Sequence, residues 1–269
     1  MVTYKLVFCD FDDTLVRSGD AVGDYTRRAI ADYRAAGGTF VICTGRSRAS
    51  LEKQLHSVYG DASGIPYICF QGGTIVDGDG KVIRRLVTDR ADVVRFSDIA
   101  AERGYAHAFH AGGEVYCETK TAETEDYAQK TGCPITYISP SEHFARTYEG
   151  DFDKMMILSS LQTRPGLDEI AAMPSGGSKL MFSGPTYLEL VPSGSGKGGA
   201  VAFMTKRLGF TRADTVAFGD ANNDADMLRS VGLPIAMRGG MKDALDAAKL
   251  IAPPASEEGM AFALRMFIR

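Results

Sequence analysis

The sequence predicts an α/β protein whose doubly wound parallel sheet is interrupted by an inserted second domain. Two observations support this prediction. In the first and last thirds of the chain, short continuous apolar runs alternate with helical patterns, which is typical of parallel strands that helices cover on both faces. The middle third has more polar strand patterns, which indicate a separate α/β insertion.

The first third contains three buried strand patterns with helical patterns between them. The apolar runs cover residues 5–9, 39–43 and 67–70. One helical pattern covers residues 24–36 and ends at Gly37-Gly38, and Ser47 can cap a second one. The segment TIVDGDGKVIRRL then predicts a hairpin, because an Asp-Gly turn joins its two apolar runs.

The last third resumes the alternation. Its strand patterns cover residues 187–191, 215–218, 233–237 and 250–252. Its helix patterns cover residues 198–208 and 224–230, a segment from Lys242, and the C-terminal end. Since short helices connect buried strands, these strands are expected to run parallel in one sheet. We therefore assign residues 1–86 and 187–269 to a core domain and residues 87–186 to the insertion.

The composition is that of a globular protein without marked charge. Of 269 residues, 45% are hydrophobic and 24% charged, and the net charge of −4 suggests neither a nucleic-acid nor an anionic-membrane partner. Among five cysteines, Cys9, Cys43 and Cys69 end apolar runs, and no cysteine spacing suggests zinc. The N-terminal apolar stretch is too short for a signal peptide, and no run approaches the ~18 apolar residues of a membrane span. A reduced, cytoplasmic protein is expected, and nothing indicates its oligomeric state.

The first strand pattern ends at three carboxylates, Asp10, Asp12 and Asp13. In an extended chain, residues i and i+2 point to the same side, so Asp10 and Asp12 are expected to face one site and Asp13 to face away. Open α/β sheets bind their ligands at the carboxyl ends of the strands. The residues that follow the other strands therefore bear on the role of this cluster.

Polar residues and glycines follow the other expected core strands. They are Thr44-Gly45-Arg46, Gln71-Gly72-Gly73, Lys197 in PSGSGKGG, and residues 219–224 with the sequence GDANND. If the carboxylates of Asp10, Asp12 and Asp220 meet, they need a cation, and oxygen ligands suit Mg²⁺. With Lys197, Thr44 and glycine N–H groups, such an ion suits a phosphate. One carboxylate can then attack phosphorus, while a second protonates the leaving oxygen and activates water.

These motifs and their order resemble the haloacid dehalogenase (HAD) superfamily of phosphohydrolases. The matching segments are DFDDTL, TGR, the lone lysine before a helix and GDANND. The position of the insertion and the segments VGLPIAMRGGMKDALDAAKLI and EEGMAFAL are similar to the Cof-type (class IIB, C2-capped) branch. The resemblance implies a Rossmann-like HAD core with an inserted C2B-type cap domain, which closes over the substrate and selects the leaving group.

The resemblance also implies individual roles in the reaction. Asp10 would be the nucleophile, and Asp12 the general acid and base with its backbone carbonyl on Mg²⁺. Asp220 would complete the metal ligands of the protein. Asp224 would also serve the metal site, either as a direct ligand or by contacting the outer coordination shell of the metal.

The remaining implied roles concern the phosphate. Thr44 would hold the transferring phosphoryl group, Lys197 would neutralise it, and Asn223 would contact the phosphate or the outer shell of the metal. Further substrate-binding and phosphate-binding residues would be Thr14, Gly45, Arg46, Gly72 and Gly73.

The chain departs from the family pattern at two positions. Asp13 stands where the family usually has glycine, and aspartate tolerates the left-handed backbone better than most residues. Gln71 stands where the family usually has asparagine, so the resemblance assigns its side chain no role.

Several polar residues keep two interpretations. Arg46 either reaches the substrate or the cap, or pairs with a core carboxylate. His107 and His110 are expected to share one face of a strand, where they either line a substrate pocket or are simply solvated or packed within the insertion.

The sequence thus predicts a Mg²⁺-dependent hydrolase of small phosphorylated metabolites, sugar phosphates first, with an aspartyl-phosphate on Asp10. One alternative on the same fold is a sugar phosphomutase or phosphotransferase. Another is a nicotinamide-dinucleotide enzyme, because GSGKGG matches G-x-G-x-x-G and is followed about 20 residues later by Asp214 and Asp220. A third is a non-catalytic protein that binds a phosphorylated ligand or a partner on this fold.

Overall fold

The computed structural model describes residues 2–267, which form two compact units. The first unit comprises the chain up to Gly45, Glu52–Arg84 and the chain from Gly196 onward. The second unit comprises Arg46–Leu51 and Arg85–Ser195.

Strands and helices alternate along most of the described chain. The strands are β1 (Leu6–Cys9), β2 (Thr39–Cys43), β3 (Tyr67–Cys69), β4 (Thr74–Val76), β5 (Val82–Arg85), β6 (Ala106–Ala111), β7 (Glu114–Cys117), β8 (Ile135–Tyr137), β9 (Phe152–Leu158), β10 (Ser178–Gly184), β11 (Tyr187–Pro192), β12 (Thr215–Gly219), β13 (Leu233–Met237) and β14 (Leu250–Ala252). The helices are α1 (Asp24–Ala35), α2 (Arg48–Gln54), α3 (Arg90–Glu102), α4 (Ala122–Thr131), α5 (Phe144–Thr147), α6 (Arg164–Ala171), α7 (Lys197–Arg207), α8 (Ala225–Ser230), α9 (Lys242–Ala247) and α10 (Gly259–Arg265). None of the helices in the described chain has the length and apolar character that a bilayer span requires.

The first unit is built on an eight-stranded sheet in the order β14-β13-β12-β1-β2-β3-β4-β5. The strands from β14 to β3 are parallel, and β4 runs antiparallel to β3. On one face, Phe8, Val41 and Ala217 pack in a buried cluster with Val201 of α7 and Leu228 of α8. The expected doubly wound parallel core is therefore confirmed, and β1, which precedes the acidic cluster, lies within the sheet.

The second unit is built on a six-stranded sheet in the order β10-β11-β9-β6-β7-β8. Its strands pair antiparallel except for β7 and β8. One face buries Phe109 and Ile157 against Phe96 of α3 and Leu167 of α6. The expected α/β insertion is thus a sheet with its own hydrophobic core.

The strand β11 differs from the expectation, which placed residues 187–191 in the parallel core. It pairs antiparallel with both β9 and β10 in the second sheet, and Leu188 and Leu190 are buried there. A strand inside either sheet has the same short apolar pattern, so the sequence did not show which sheet it joins. The second unit accordingly extends to Ser195 instead of ending at residue 186.

His107 and His110 lie on opposite faces of β6, not on the shared face that was expected. His107 Nε2 hydrogen-bonds Ser97 Oγ of α3 at 3.2 Å, and His110 Nε2 hydrogen-bonds the Tyr127 hydroxyl of α4 at 2.8 Å. Residues three positions apart in a strand point to opposite sides. Both imidazoles are buried, so they pack within the second unit.

Candidate active site

The sequence-predicted site residues of the first unit come from the ends of four strands, β1, β2, β3 and β12, and from one helix start. Asp10 follows β1, Thr44 follows β2, and Asp220 follows β12. Lys197 is the first residue of α7, and the strand that precedes it belongs to the other sheet. The lysine therefore enters this site from a helix N-terminus and not from a neighbouring parallel strand.

Lys197 links two carboxylates that are far apart in the sequence. Its Nζ lies 2.5 Å from Asp10 Oδ1 and 2.5 Å from Asp224 Oδ1. The lysine side chain is 0% exposed, so these charges meet away from bulk water. A buried ammonium between two carboxylates compensates their repulsion and fixes all three side chains.

Protonation in this group follows from burial and charge together. Burial raises the pKa of Asp10 well above its usual value, and Asp224 adds to that rise while Lys197 opposes it. Burial alone would lower the pKa of Lys197, but Asp10 and Asp224 outweigh it and raise that pKa well above the usual value. Lys197 therefore keeps its positive charge at neutral pH.

Asp224 organises the loop after β12. Its Oδ2 accepts the backbone N–H groups of Asp220 at 3.1 Å and Ala221 at 3.0 Å. A Cβ on Gly219 would lie 2.6 Å from the Asp224 Cβ, so this close turn requires glycine. Asp224 is fully buried and serves both its loop and Lys197.

Thr14 contacts a carboxylate, although the sequence suggested that it binds phosphate. Its buried hydroxyl donates to Asp220 Oδ1 at 2.6 Å. Burial raises the pKa of Asp220 to about 6, and the hydrogen bond from Thr14 opposes that rise. The threonine thus orients Asp220 and stabilises its ionised form, because a hydroxyl donor favours the carboxylate.

Asp13 adopts the left-handed conformation expected at this turn. Its φ is 57°, and its exposed side chain accepts the Ser18 N–H at 3.0 Å through Oδ1. Aspartate is among the few residues that tolerate this region. Asp12 lies just before it, and its charge is near enough to contribute to the raised pKa of Asp10.

An oxygen site suited to a divalent cation lies beside Lys197. One carboxylate oxygen each of Asp10, Asp220 and Asp224 lies within 4.8 Å of the others. This all-oxygen, anionic donor set fits Mg²⁺ and not the softer metals. Asp224 already accepts three hydrogen bonds, two from backbone N–H groups and one from Lys197, so part of its lone-pair capacity is taken up by the loop and the lysine.

The loops after β2 and β3 also join the site. The Gln71 N–H donates to the Thr44 carbonyl at 3.2 Å, and Asn223 Nδ2 donates to Gln71 Oε1 at 3.2 Å. A Cβ on Gly45 would lie 2.3 Å from Gln71 Nε2, so Gly45 makes room for that side chain. Thr44, Gly45 and Asn223 are therefore brought together by Gln71, a residue to which sequence reasoning gave no role.

Gly72 and Gly73 were both expected to offer N–H groups to a phosphate. The Gly73 N–H instead donates to the Phe70 carbonyl at 2.9 Å, because the chain forms a 3₁₀ turn over Phe70–Gly72. Gly72 has a φ of 91°, and a Cβ there would lie 2.3 Å from the Gly196 carbonyl oxygen. Gly72 thus allows the loop to approach the start of α7, and Gly73 is not an available donor.

Arg46 falls in the second unit, with the first turn of α2. Its Nη1 donates to Ser50 Oγ at 3.2 Å, while the Ser50 N–H donates to Ser47 Oγ at the same distance. The capping role of Ser47 is therefore confirmed. Contact of Arg46 with a substrate stays a prediction.

Sequence reasoning missed Asp226, which holds the start of the lysine-bearing helix. Its Oδ2 accepts the Gly198 N–H at 3.0 Å, and Gly196 at the N-cap of α7 supplies no side-chain cap. A cap from another helix leaves no local sequence signal. The absence of Ser, Thr, Asn or Asp at the N-cap was the one available hint that a cap comes from elsewhere.

The dinucleotide-binding interpretation of GSGKGG is wrong. Its fingerprint requires a strand and helix of one parallel βαβ unit. The strand before this segment, β11, pairs antiparallel in the six-stranded sheet, while α7 packs on the eight-stranded sheet.

Comparison with known proteins agrees with this geometry. The model of the haloacid dehalogenase-like hydrolase family matches residues 7–264. The HMP-PP phosphatase of Klebsiella pneumoniae (strain 342) is 28% identical over 245 residues, which cover 88% of this chain and 85% of that protein. The 5-amino-6-(5-phospho-D-ribitylamino)uracil phosphatase of Bacillus subtilis (strain 168) is 24% identical over 279 residues and 96% of each chain. Among solved structures, a HAD subclass IIB sugar phosphatase has a TM-score of 0.82 at 20% identity and 98% coverage of each chain.

The chain belongs to the haloacid dehalogenase-like hydrolase family, and it shares the fold of a HAD subclass IIB sugar phosphatase. It is a HAD-type phosphatase, as its sequence motifs predicted.

Proposed function

We propose that this phosphatase is a Mg²⁺-dependent phosphomonoester hydrolase that forms an aspartyl-phosphate on Asp10. The observation that carries the proposal is the buried Lys197 ammonium, 2.5 Å from both Asp10 Oδ1 and Asp224 Oδ1. A buried aspartate held against a fixed cation suits attack on a dianionic phosphate, because the cation offsets the repulsion between the two anions.

The reaction has two displacements at phosphorus. In the first, an Asp10 carboxylate oxygen bonds to phosphorus, the bond to the leaving oxygen breaks, and Asp12 gives that oxygen its proton. In the second, Asp12 takes a proton from water, the water oxygen bonds to phosphorus, and the bond to Asp10 breaks. Inorganic phosphate leaves, and both aspartates return to their starting states.

The other residues of the first unit would bind charge or hold the reacting groups. Mg²⁺, held by Asp10, the Asp12 carbonyl and Asp220, would neutralise the phosphate oxygens when bound. Lys197 and Thr44 would hold the transferring group. Thr14 would position Asp220, which its observed hydrogen bond supports.

The substrate is proposed to be a small phosphorylated metabolite, with sugar phosphates first and phosphorylated cofactors such as pyridoxal phosphate next. The similar proteins support a phosphorylated substrate but no particular leaving group. Their names differ in the molecule that bears the phosphate: HMP-PP, a ribitylamino-uracil phosphate and a sugar. A panel of metabolite phosphates, read by released phosphate, tests this assignment. Label that moves between positions of one sugar would indicate a mutase.

The nucleophile is tested with Asp10→Asn and the matched variant Asp13→Asn. With p-nitrophenyl phosphate and Mg²⁺, Asp10→Asn should lose at least ~10³-fold in kcat, and EDTA should abolish wild-type turnover. Asp13→Asn should keep activity within about threefold, because Asp13 is exposed and asparagine also tolerates its φ of 57°. An active Asp10→Asn protein would show that another group attacks phosphorus.

A further inference from the structure

Gln71 occupies a backbone conformation that does not favour glutamine. Its φ is 54° and its ψ is 36°, and the preceding Phe70 has a φ of 52°. Glycine, and to a lesser degree asparagine, adopts this left-handed region readily. Two successive side chains held there indicate that their contacts outweigh the backbone strain.

Gln71 is 2% exposed and lies between two other loops of the site. Its Oε1 accepts a hydrogen bond from Asn223 Nδ2 at 3.2 Å, and its Nε2 fills the space above Gly45. Its backbone N–H donates to the Thr44 carbonyl at 3.2 Å. Gln71, in the loop after β3, therefore contacts both the loop after β2 and the loop after β12.

We propose that Gln71 is a positioning residue for the phosphoryl-binding groups. Its amide oxygen fixes Asn223, and its bulk fixes the Thr44-Gly45 turn, so that these loops stand at one spacing when phosphate binds. The inference rests on the proposed function, because it takes Thr44 and Asn223 as the groups that bind phosphate.

Three variants separate the parts of this role. Gln71→Gly relieves the backbone and removes the side chain, whereas Gln71→Met keeps the bulk and removes the acceptor. Asn223→Ala removes the partner. If the only role of Gln71 were to form the turn, the Gln71→Gly variant should be at least as active as the wild type, because glycine adopts a φ of 54° without strain.

The expected results are specific. Gln71→Gly and Gln71→Met should each lower kcat/KM roughly tenfold, because the two loops then hold the phosphoryl group less well in both the bound and the reacting state. The double variant Gln71→Met/Asn223→Ala should be no slower than Asn223→Ala alone, because both changes remove one interaction. Gln129→Met, on the exposed face of α4, is the control and should match the wild type.

A second measurement does not need turnover. Calorimetry with inorganic phosphate and Mg²⁺ should give a Kd roughly tenfold weaker for Gln71→Gly than for the wild type. If Gln71→Gly does not fold, Gln71→Asn replaces it, because asparagine tolerates this backbone but its amide is one methylene short of Asn223.

The outcomes separate this inference from the proposed function. Full activity in Gln71→Gly, or a double variant whose loss is the product of the two single losses, overturns the positioning role while the phosphatase proposal stands. If the wild-type protein shows no Mg²⁺-dependent hydrolysis, the proposed mechanism is overturned. The positioning role of Gln71 is then tested only by comparing the phosphate Kd of Gln71→Gly with that of the wild type. A wild-type protein that also fails to bind phosphate overturns both.

Discussion

Lys197 Nζ lies 2.5 Å from Asp10 Oδ1, although 187 positions separate the two residues in the sequence. The same nitrogen lies 2.5 Å from Asp224 Oδ1, and the lysine side chain is 0% exposed. The first and last segments of the first unit are thereby joined by a buried ionic cluster. Its members can be changed one at a time, and the effects on stability and on catalysis should then differ.

Lys197→Met should reduce both stability and activity. The variant leaves Asp10 and Asp224 buried together without a cation, which costs on the order of 3–5 kcal/mol of unfolding free energy. Loss of the fixed charge should also lower kcat at least ~10²-fold. Urea unfolding at pH 7 in EDTA, together with steady-state kinetics in Mg²⁺, measures the two effects.

The double variant Lys197→Met/Asp224→Asn is the control for this interpretation. Removing one of the two carboxylates should restore much of the lost stability and none of the activity. A double variant no more stable than Lys197→Met would show that carboxylate repulsion is not the cause of the loss.

Thr14→Val should weaken Mg²⁺ binding more than it slows the loaded enzyme. The change removes the hydroxyl that donates to Asp220 Oδ1 and keeps the side-chain volume. Loss of a partner that orients a metal ligand typically weakens metal affinity about 10-fold or more. Mg²⁺ titrations of thermal stability and of activity check this expectation.

Thr205→Val is the matched variant for that experiment. Thr205 is also buried, but its hydroxyl donates to the Val201 carbonyl within α7. An equal shift in Mg²⁺ dependence for both variants would contradict the assigned role of Thr14.

Asp226→Ala should destabilise the start of α7. The variant leaves the Gly198 N–H without its acceptor, which should cost about 1 kcal/mol of unfolding free energy. Because Lys197 begins this helix, kcat should also fall severalfold. Asp226→Asn keeps an acceptor oxygen and should lie near the wild type, as should Asp79→Ala in an exposed turn. Chemical denaturation and kinetics on the same preparations distinguish these outcomes.

His110 should make the protein less stable at acidic pH. Burial lowers the pKa of His110 well below its usual 6.5, and the charge of Lys154 on the neighbouring strand β9 lowers it further. The Tyr127 hydroxyl and the Glu189–Lys154 ion pair lie on the same side of the sheet, together with Tyr187, Cys117 and Cys133.

The sign of the effect follows from proton uptake. Below about pH 6.5 the unfolded state binds a proton that the folded state excludes, so stability falls as the pH drops, by up to about 1.4 kcal/mol per pH unit. His110→Gln should flatten this slope of the unfolding free energy between pH 7 and pH 5. The exposed His56→Gln should leave it unchanged, and an unaltered slope in His110→Gln would show that this histidine is protonated in the folded protein.

Much of the fold could be predicted from local sequence patterns. The parallel strands β1, β2, β3, β12 and β13 each appear as a short apolar run, because strands covered on both faces expose no polar side. The strand β11 has the same pattern in a different sheet, so the pattern predicted its burial but not its partners.

The family could likewise be predicted, because its motifs directly follow strand ends and appear in a fixed order along the chain. The partners of individual side chains could not. The sequence shows that Thr14 is near Asp10, but not that its hydroxyl turns to Asp220, 206 positions away.

The sequence by itself determined the elements of the core, the acidic strand ends and the class of chemistry, since burial and backbone preference are local properties. Only the tertiary structure decided that β11 leaves the core sheet, that Asp226 caps α7, and that Gln71 contacts both Gly45 and Asn223. Each of these depends on which distant segments pack together. A hydrogen bond or ion pair between such segments forms only after folding has brought the two segments together in space, so no local sequence pattern predicts it.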